Sequence, residues 1–417
     1  MVVLVLAVYI VVLVLIPRYN YLGLSLFLAT PITKPFLIVS LGVPSGYYID
    51  LLMVVPAVAG IILSRKKVLH AEFRVGRNRL LFVFYVMLFL AMISFPIADG
   101  IAMPVKKLLI FSIFVHLAVW LPVLYVRSWK NLKEVLTAIE LLGVFCLVNI
   151  IFFPIRAVDD VYGRLSALGA NPLAPGFFIT ILAISSLFKS LILRKRMFLF
   201  LIPFCLLAVV ISGTRSPVIF FIVIVSVVVM GLRGATLSKA VLVTMLCGLA
   251  TLLIYSPPMV MKEGLSRFSQ LELSYKESRI QLVLIGLDHL KEHPGKILVG
   301  GGFGDSSYVY SGGDDGVFKY PHNWVLEVFM EFGVAGLLLM LYLFGGNIVF
   351  LIGIKRRVDE LGVEIRYLAV VSAFIGFLVI LNSNKTGSYG VSATAWFVLS
   401  LFYHVSSNCN VRRDRCG

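Results

Sequence analysis

The sequence has few charged residues: they make up 14% of its 417 residues, whereas 60% are hydrophobic and the mean hydropathy is +0.99. A soluble globule of this length needs more polar surface than that, so lipid is expected to be the main solvent. Apolar runs close to the roughly 20 residues that cross ~30 Å of hydrocarbon as a helix recur along the chain. We therefore predict an all-α, polytopic membrane protein with about 12 transmembrane helices.

Acidic residues are scarce as well: the sequence has 21 Asp and Glu but 37 Lys and Arg, which gives a formal net charge of +16. The cations lie in short blocks, for example at 65–79, 189–196 and 355–366, separated by pairs of apolar runs. This is the positive-inside pattern of a bacterial inner-membrane protein, and it directs the blocks to the cytoplasm. No block carries interleaved aromatics or a binding module, which argues against nucleic acid as a partner.

Cysteine is rare, with five residues, and none falls in a segment directed outward, so no exported disulfide is expected. Residues 1–16 lack a basic start and a small-residue cleavage site, and we interpret them as a membrane segment rather than a signal peptide. Five prolines between Pro17 and Pro56 are expected to break the apolar stretch 1–64. With both termini inside, one segment there should be broken or lie in the membrane plane.

The apolar runs from residue 65 onward predict a series of spans. They lie at 80–97, 107–126, 135–153, 172–188, 197–212, 216–232, 240–256, 324–353, 366–381 and 391–405. Alternation then directs five connections outward, near 98–106, 154–171, 213–215, 257–323 and 382–390. We predict four segments: an N-terminal transmembrane bundle (1–256), an outward loop (257–323), C-terminal transmembrane helices (324–405) and a cytoplasmic tail (406–417).

The outward loop 257–323 is far longer than the usual connection between packed helices, and such loops are normally functional. Apolar residues at helical spacing between Lys262 and His293 predict one or two amphipathic helices. The loop closes with a glycine-rich stretch before Tyr320, Pro321, His322 and Asn323.

Ionisable residues at outward membrane boundaries are costly unless they serve a purpose, and four stand out. They are Arg164, Arg215, Arg279 and His322. Each has an ordinary interpretation: a snorkelling anchor for Arg215, a solvated helix face for Arg279, an interfacial residue for His322 and a plain loop arginine for Arg164. Together, arginine forks that suit phosphate oxygens and an imidazole that can accept a hydroxyl proton predict a site for a phosphate-bearing substrate at the outer leaflet.

Other motifs are weaker. His289 and His293 are four residues apart, but Glu292 is wrongly placed for a zinc-binding helix. The stretch from Gly300 to Gly304 follows no nucleotide-binding strand and helix. We expect no metal and no cofactor. The spans carry few charges, with Glu140, Glu327 and Glu331 as exceptions, and Lys106 and Lys107 form a basic pair on the outward side.

Three segments carry a family resemblance. Residues 320–336 join Tyr-Pro-His-Asn to a helix ending Glu-Phe-Gly-Val-Ala-Gly; residues 212–216 read Ser-Gly-Thr-Arg-Ser; and Ser278-Arg279 leads through His293-Pro294 to Gly300-x-Gly302. In this order, over about residues 160–400, they resemble the bacterial O-antigen ligases and O-antigen polymerases.

The resemblance implies a metal-independent, inverting glycosyltransferase of the inner membrane, with its active site facing the periplasm. Its donor would be a glycan linked to undecaprenyl diphosphate. Arg215 and Arg279 would hold the diphosphate, and His322 would act as general base on the acceptor hydroxyl. Arg164, Tyr320 and Asn323 would be further substrate contacts. No cofactor is implied, because diphosphate is already a good leaving group.

Two acceptors remain open within the family. A polymerase joins a glycan to a second lipid-linked repeat unit, and the compact loop between Arg279 and His322 favours this reading. A ligase transfers the polymer onto lipid A-core. Membrane lipid and a chain-length regulator are the further partners considered. An alternative of another class is a lipid-glycan transporter or flippase, for which charges deep within several spans would be expected.

Overall fold

The structure, a computed structural model, describes residues 2–41, 46–65, 73, 78–156, 165–212, 214–231, 278–313, 319–358, 361–383, 388–390 and 392–416. This part of the chain is almost entirely α-helical, as predicted. In chain order the helices are α1 Val2–Leu15, α2 Tyr21–Leu41, α3 Gly46–Arg65, α4 Arg79–Ser94, α5 Ala102–Ile110, α6 His116–Tyr125, α7 Trp129–Phe152, α8 Leu173–Leu191, α9 Leu201–Ile211, α10 Arg215–Gly231, α11 Ser278–Glu292, α12 Pro294–Val299, α13 Asp305–Ser311, α14 Trp324–Val358, α15 Val363–Ser383 and α16 Ala393–Cys416. One short antiparallel pair joins β1 Ile155–Arg156 to β2 Leu165–Ser166.

Six segments in the described part are long and apolar enough to cross a membrane, so the protein is a multi-pass membrane protein. They are Arg79–Ile97, Ala102–Tyr125, Trp129–Phe152, Leu173–Leu191, Trp324–Ile354 and Val363–Ser383. Arg196–Ile211 is a shorter apolar helix. The predicted span at 240–256 lies outside the described residues, and the total of about 12 spans and the outward direction of the long loop stay predictions.

The chain divides into two compact units. The first contains Met1–Phe73, Leu124–Leu271 and Leu361–Val371, and the second contains Arg74–Val123, Glu272–Glu360 and Ser372–Gly417. Both units are discontinuous in sequence, and the four consecutive segments predicted from the sequence stay a prediction. Helix α16 extends to Cys416.

Helices α2 and α3 of the first unit correct the prediction about prolines. Pro31 and Pro35 lie inside α2 and Pro56 lies inside α3, so these three residues do not end their helices. Membrane helices tolerate proline where neighbouring groups satisfy the freed backbone. A Cβ on Gly23 would lie 2.2 Å from the carbonyl oxygen of Pro56, which shows how closely the two backbones approach. Pro17 does lie in the turn between α1 and α2.

Glu140, one of the three acidic exceptions, is paired within the first unit. Lys189 Nζ on α8 lies 2.5 Å from Glu140 Oε2 on α7, and the Tyr367 hydroxyl donates to Oε1 at 3.0 Å. The Ser185 hydroxyl donates to the same carboxylate. A carboxylate placed among apolar helices is held there by a cation and hydroxyl donors, as burial of charge requires.

The second unit is organised around α14. This helix departs from helical geometry at Gly333, where φ is 61° and ψ is −148°. Trp324 at its start stacks on Trp396 of α16 with ring centroids 5.7 Å apart. Helices α11, α12 and α13 pack on it through a cluster of Leu290, Tyr310, Leu326 and Met330. Helix α11 lies within the stretch 262–293 for which one or two amphipathic helices were predicted, whereas 257–277 lies outside the described residues.

Candidate functional site

The segment that carries His322 ends in a helix cap. The side-chain oxygen of Asn323 accepts a hydrogen bond from the backbone N–H of Leu326 at 3.0 Å. The backbone oxygen of Asn323 accepts from Glu327 N at 2.9 Å, which closes the first turn of α14. Asparagine before an apolar helical run is a standard start signal. Asn323 thus positions the loop, and its predicted contact with substrate stays a prediction.

His322 adopts an uncommon backbone conformation with φ of 54°. Such left-handed conformations are rare outside glycine and cluster at functional sites, where the surrounding structure holds them in place. The half-buried imidazole lies against Tyr320, with ring centroids 4.5 Å apart. Burial, and then the charge of Glu327, raise the pKa of Tyr320, so its phenol is neutral at pH 7. The position of the imidazole is therefore fixed by the backbone conformation of His322 and by its contact with the Tyr320 ring.

A buried charge cluster lies in the same unit, formed by Lys107, Glu327 and Glu331. The two carboxylates are four residues apart on α14 and so share one face of the helix. Lys107 Nζ lies 2.7 Å from Glu327 Oε1 and 2.5 Å from Glu331 Oε1, and all three side chains are fully buried. Charges are tolerated at such depth only when paired and hydrogen-bonded.

Neutral donors complete the cluster. Ser388 donates its hydroxyl to Glu327, and the backbone N–H of Tyr389 donates to the same carboxylate at 3.2 Å. The Tyr389 and Ser306 hydroxyls each donate to Glu331 at 2.5 Å. Burial, followed by Glu331 and Glu327, raises the pKa of Tyr389, so it remains a proton donor. The sequence showed these two glutamates and Lys107 as separate charged residues in or beside apolar spans, but it did not show that they pair. The available signal was that opposite charges in apolar segments must find a partner.

The Gly300-x-Gly302 segment contacts the backbone of α14 next to Gly333. The backbone N–H of Gly301 donates to Met330 O at 2.8 Å, and that of Gly302 donates to Glu331 O at 3.1 Å. These bonds are made just before the Gly333 kink of α14. A Cβ on Gly300 would lie 2.2 Å from Glu331 O, and one on Gly333 would lie 2.4 Å from Leu298 O. Gly300-x-Gly302 and the Glu-x-Gly of α14 are therefore two sides of one backbone contact, which holds the helix that carries the buried carboxylates.

Gly300→Ala should destabilise the protein by more than about 2 kcal/mol, because Gly300 has φ of 81° and has no room for a side chain. Gly345→Ala is the matched control, since a Cβ there meets nothing within 4 Å and alanine is the better helix former. Thermal unfolding in detergent would measure both. Equal midpoints for the two variants would contradict the role of the backbone contact.

A second polar cluster links α11, α12 and α13. Lys296 Nζ lies 3.2 Å from both carboxylate oxygens of Asp305 and 3.1 Å from Asp99 Oδ2. His289 Nε2 lies 3.8 Å from Asp305 Oδ2. Burial raises the pKa of Asp305 to about 6, against the opposing charge of Lys296. Burial and then Lys296 lower the pKa of His289, so this histidine is neutral at pH 7. The cluster ties the loop helices to the turn that carries Asp99.

The predicted arginines have different positions. Arg215 is the first residue of α10 in the first unit, after a turn in which the Ser212 and Thr214 hydroxyls lie 2.7 Å apart. Arg279 lies in α11 of the second unit. Arg164 lies outside the described residues. Among the predicted site residues, the described contacts bring Tyr320 and His322 together, and the roles of all of them stay predictions.

The described part of the chain defines a class: a multi-span helical membrane protein in which loop helices pack on a kinked spanning helix. Residues 197–341 match the model of the O-antigen ligase family. This match confirms the resemblance to the O-antigen ligase and polymerase family. The matched segment contains Arg215, Arg279 and His322, whereas Arg164 precedes it.

The match supports glycosyl transfer of the ligase or polymerase type, with lipid-linked glycan and acceptor substrates, and does not support the flippase alternative. A comparison with curated proteins gave no match.

Proposed function

We propose that the protein is a surface-polysaccharide polymerase that transfers a glycan from undecaprenyl diphosphate to a sugar hydroxyl at the periplasmic face of the inner membrane. The observation that carries this proposal is His322: it lies in the matched family segment, in a left-handed conformation, against Tyr320 and directly before the capped start of α14. A histidine held in this way is suited to proton transfer at neutral pH.

The chemistry follows from a single displacement. The acceptor oxygen forms a bond to the anomeric carbon while the bond from that carbon to the diphosphate oxygen breaks, which inverts the anomeric centre. His322 takes the proton of the acceptor hydroxyl. Negative charge grows on the departing diphosphate, and the guanidinium groups of Arg215 and Arg279 stabilise it. No metal is needed for either step.

The position of Arg215 supports a role in binding an anion. It opens a helix of 17 residues, where the unpaired N–H groups already carry partial positive charge. A cation at this end disfavours the helix, whereas a bound anion is favoured by both the guanidinium and the helix end. A phosphate group near Arg215 would therefore offset the unfavourable interaction between the guanidinium charge and the positive end of the helix dipole.

The proposal also specifies which molecule supplies the acceptor hydroxyl. The short loop between Arg279 and His322 in the sequence favours a polymerase. A second lipid-linked repeat unit would then be the acceptor. Lipid A-core, the ligase acceptor, is the alternative.

The surface glycan of a strain that lacks the gene separates these outcomes. A polymerase predicts that gels of the deletion strain show core carrying one repeat, with long chains restored by the wild-type gene. A ligase predicts bare core together with accumulated lipid-linked polymer. Unchanged long-chain glycan in the deletion strain would contradict both assignments.

A further inference from the structure

An exposed apolar stripe runs along the span Arg79–Ile97 to its end. Phe89, Ile93 and Ile97 are spaced four residues apart and are 58%, 53% and 72% exposed. Phe89 and Ile93 therefore share one face of α4, and Ile97 follows in the 3₁₀ turn that ends the span. In a spanning segment such an exposed apolar face contacts lipid. Only residues 98–101 separate this span from the next one, which begins at Ala102. The connecting turn therefore lies at one membrane surface.

Helix α12 and the segment that follows it are anchored on this turn. Lys296 Nζ lies 3.1 Å from Asp99 Oδ2, and the backbone N–H of Phe303 donates to Ser94 Oγ at 3.2 Å. A Cβ on Gly302 would lie 2.6 Å from Ala98 N, so the backbones are in direct contact. Residues 296–303 thus lie at the same membrane surface as the turn.

The length of α14 is consistent with this level. Its apolar segment has 31 residues, and the part that follows the Gly333 kink, residues 334–354, is by itself about 32 Å long, close to the ~30 Å of hydrocarbon. Gly302 contacts both Ala98 and the Glu331 carbonyl, so Glu331 and Gly333 lie near the membrane boundary. The part of α14 that begins at Trp324 then projects beyond it, on the side of His322.

Two large apolar side chains are exposed near this membrane boundary, in the stretch between the contacts made by Lys296 and Gly302. Leu298 is 70% exposed and Val299 is 76% exposed. Their neighbour Ile297 packs against the cluster of Leu290, Tyr310, Leu326 and Met330 instead. Helix α12 therefore has a packed side and an apolar side open to its surroundings, next to a lipid-facing stripe.

We propose that Ile97, Leu298 and Val299 form an apolar edge that is seated in the acyl-chain and headgroup boundary of the leaflet on the side of His322. The edge continues the lipid-facing stripe of the span Arg79–Ile97, and amphipathic segments with such a face lie in this boundary. It fixes the loop helices at the level where the phosphate of a lipid-linked molecule would lie.

Spin labels in nanodiscs of phosphatidylethanolamine and phosphatidylglycerol test the proposal. With the five native cysteines replaced, Val299→Cys is labelled alongside two controls: Phe89→Cys on the lipid-facing stripe and Lys291→Cys, whose native side chain is 76% exposed beside Asp288. The label at 299 should be at least about twofold more accessible to oxygen, relative to a water-soluble nickel reagent, than the label at 291. Its ratio should lie between those of the labels at 291 and 89, because residue 89 lies deeper in the hydrocarbon.

A label at 299 that behaves like the one at 291 would place the edge in water and overturn the proposal. Protection from both reagents would indicate a protein partner in place of lipid and would overturn it equally. If the cysteine-free protein does not fold, tryptophan fluorescence serves with the native cysteines. Leu298→Trp should be quenched by brominated lipid more strongly than Lys291→Trp, after subtraction of the wild-type signal, and equal quenching would refute the apolar edge.

Discussion

His322→Ala should abolish glycan transfer without removing the protein from the membrane. Loss of a general base slows a reaction by about 10² to 10⁴-fold, which would eliminate long-chain glycan. His322 is half-buried and lies at the start of α14, so its removal leaves the packing of the spans intact. Gels of surface glycan from a deletion strain carrying each variant, with immunoblots of the membrane fraction, measure the two properties separately.

A second variant separates the chemistry of His322 from its backbone. Alanine disfavours the left-handed conformation that this position adopts, whereas asparagine tolerates it. Asparagine also lacks a basic ring nitrogen. His322→Asn should therefore be as inactive as His322→Ala. Normal long-chain glycan from His322→Asn would refute the general-base role, and loss of glycan in the control His293→Ala, an exposed histidine of the same unit, would indicate a nonspecific effect.

Lys107→Met should strongly destabilise the protein, because it removes the cation from the buried charge cluster. Glu327 and Glu331 would remain fully buried beside each other without a countercharge. Breaking a buried ion pair by removing one partner costs about 3–5 kcal/mol, a large share of the 5–15 kcal/mol that stabilises a typical protein. Thermal unfolding in detergent and the amount of protein in the membrane should both fall clearly.

Two further variants make this result specific to the pairing. Lys106→Met removes an exposed neighbouring charge and should unfold like the wild type. Adding Glu331→Gln to Lys107→Met removes one of the two carboxylates and should restore part of the lost stability. The amide oxygen can still accept from one of the two hydroxyls, Ser306 or Tyr389, that donate to different oxygens of Glu331. Identical unfolding of Lys107→Met and Lys106→Met would show that the cluster does not stabilise the fold.

The spanning helices were predictable from the sequence because lipid imposes a local rule. A segment must be long and apolar to cross hydrocarbon, so the span predicted at 80–97 agrees with Arg79–Ile97 and that at 172–188 agrees with Leu173–Leu191. The prolines were misread by the same local reasoning. Whether Pro31, Pro35 or Pro56 ends a helix depends on what packs around it, and the approach of α2 to α3 at Gly23 is a tertiary feature.

For the candidate site, too, some features were predictable from the sequence and others were not. Its residue types were recognisable from the sequence, because His322, Arg215 and Arg279 lie in short motifs that resemble one family, and the match over residues 197–341 agrees. The conformation of His322, its contact with Tyr320 and the cap made by Asn323 required the structure. The sequence shows which polar groups are present, but it does not show which neighbours hold them.

Composition and apolar run length by themselves determined that this protein is helical and crosses a membrane several times, since those properties depend on local transfer of side chains into lipid. Only the tertiary structure decided that Lys107 pairs with Glu327 and Glu331, which lie more than 200 residues away along the chain. It also decided that Gly300 faces the backbone of α14 beside Gly333. Pairing of buried charges and contact between backbones depend on distances across the fold, which no local pattern encodes.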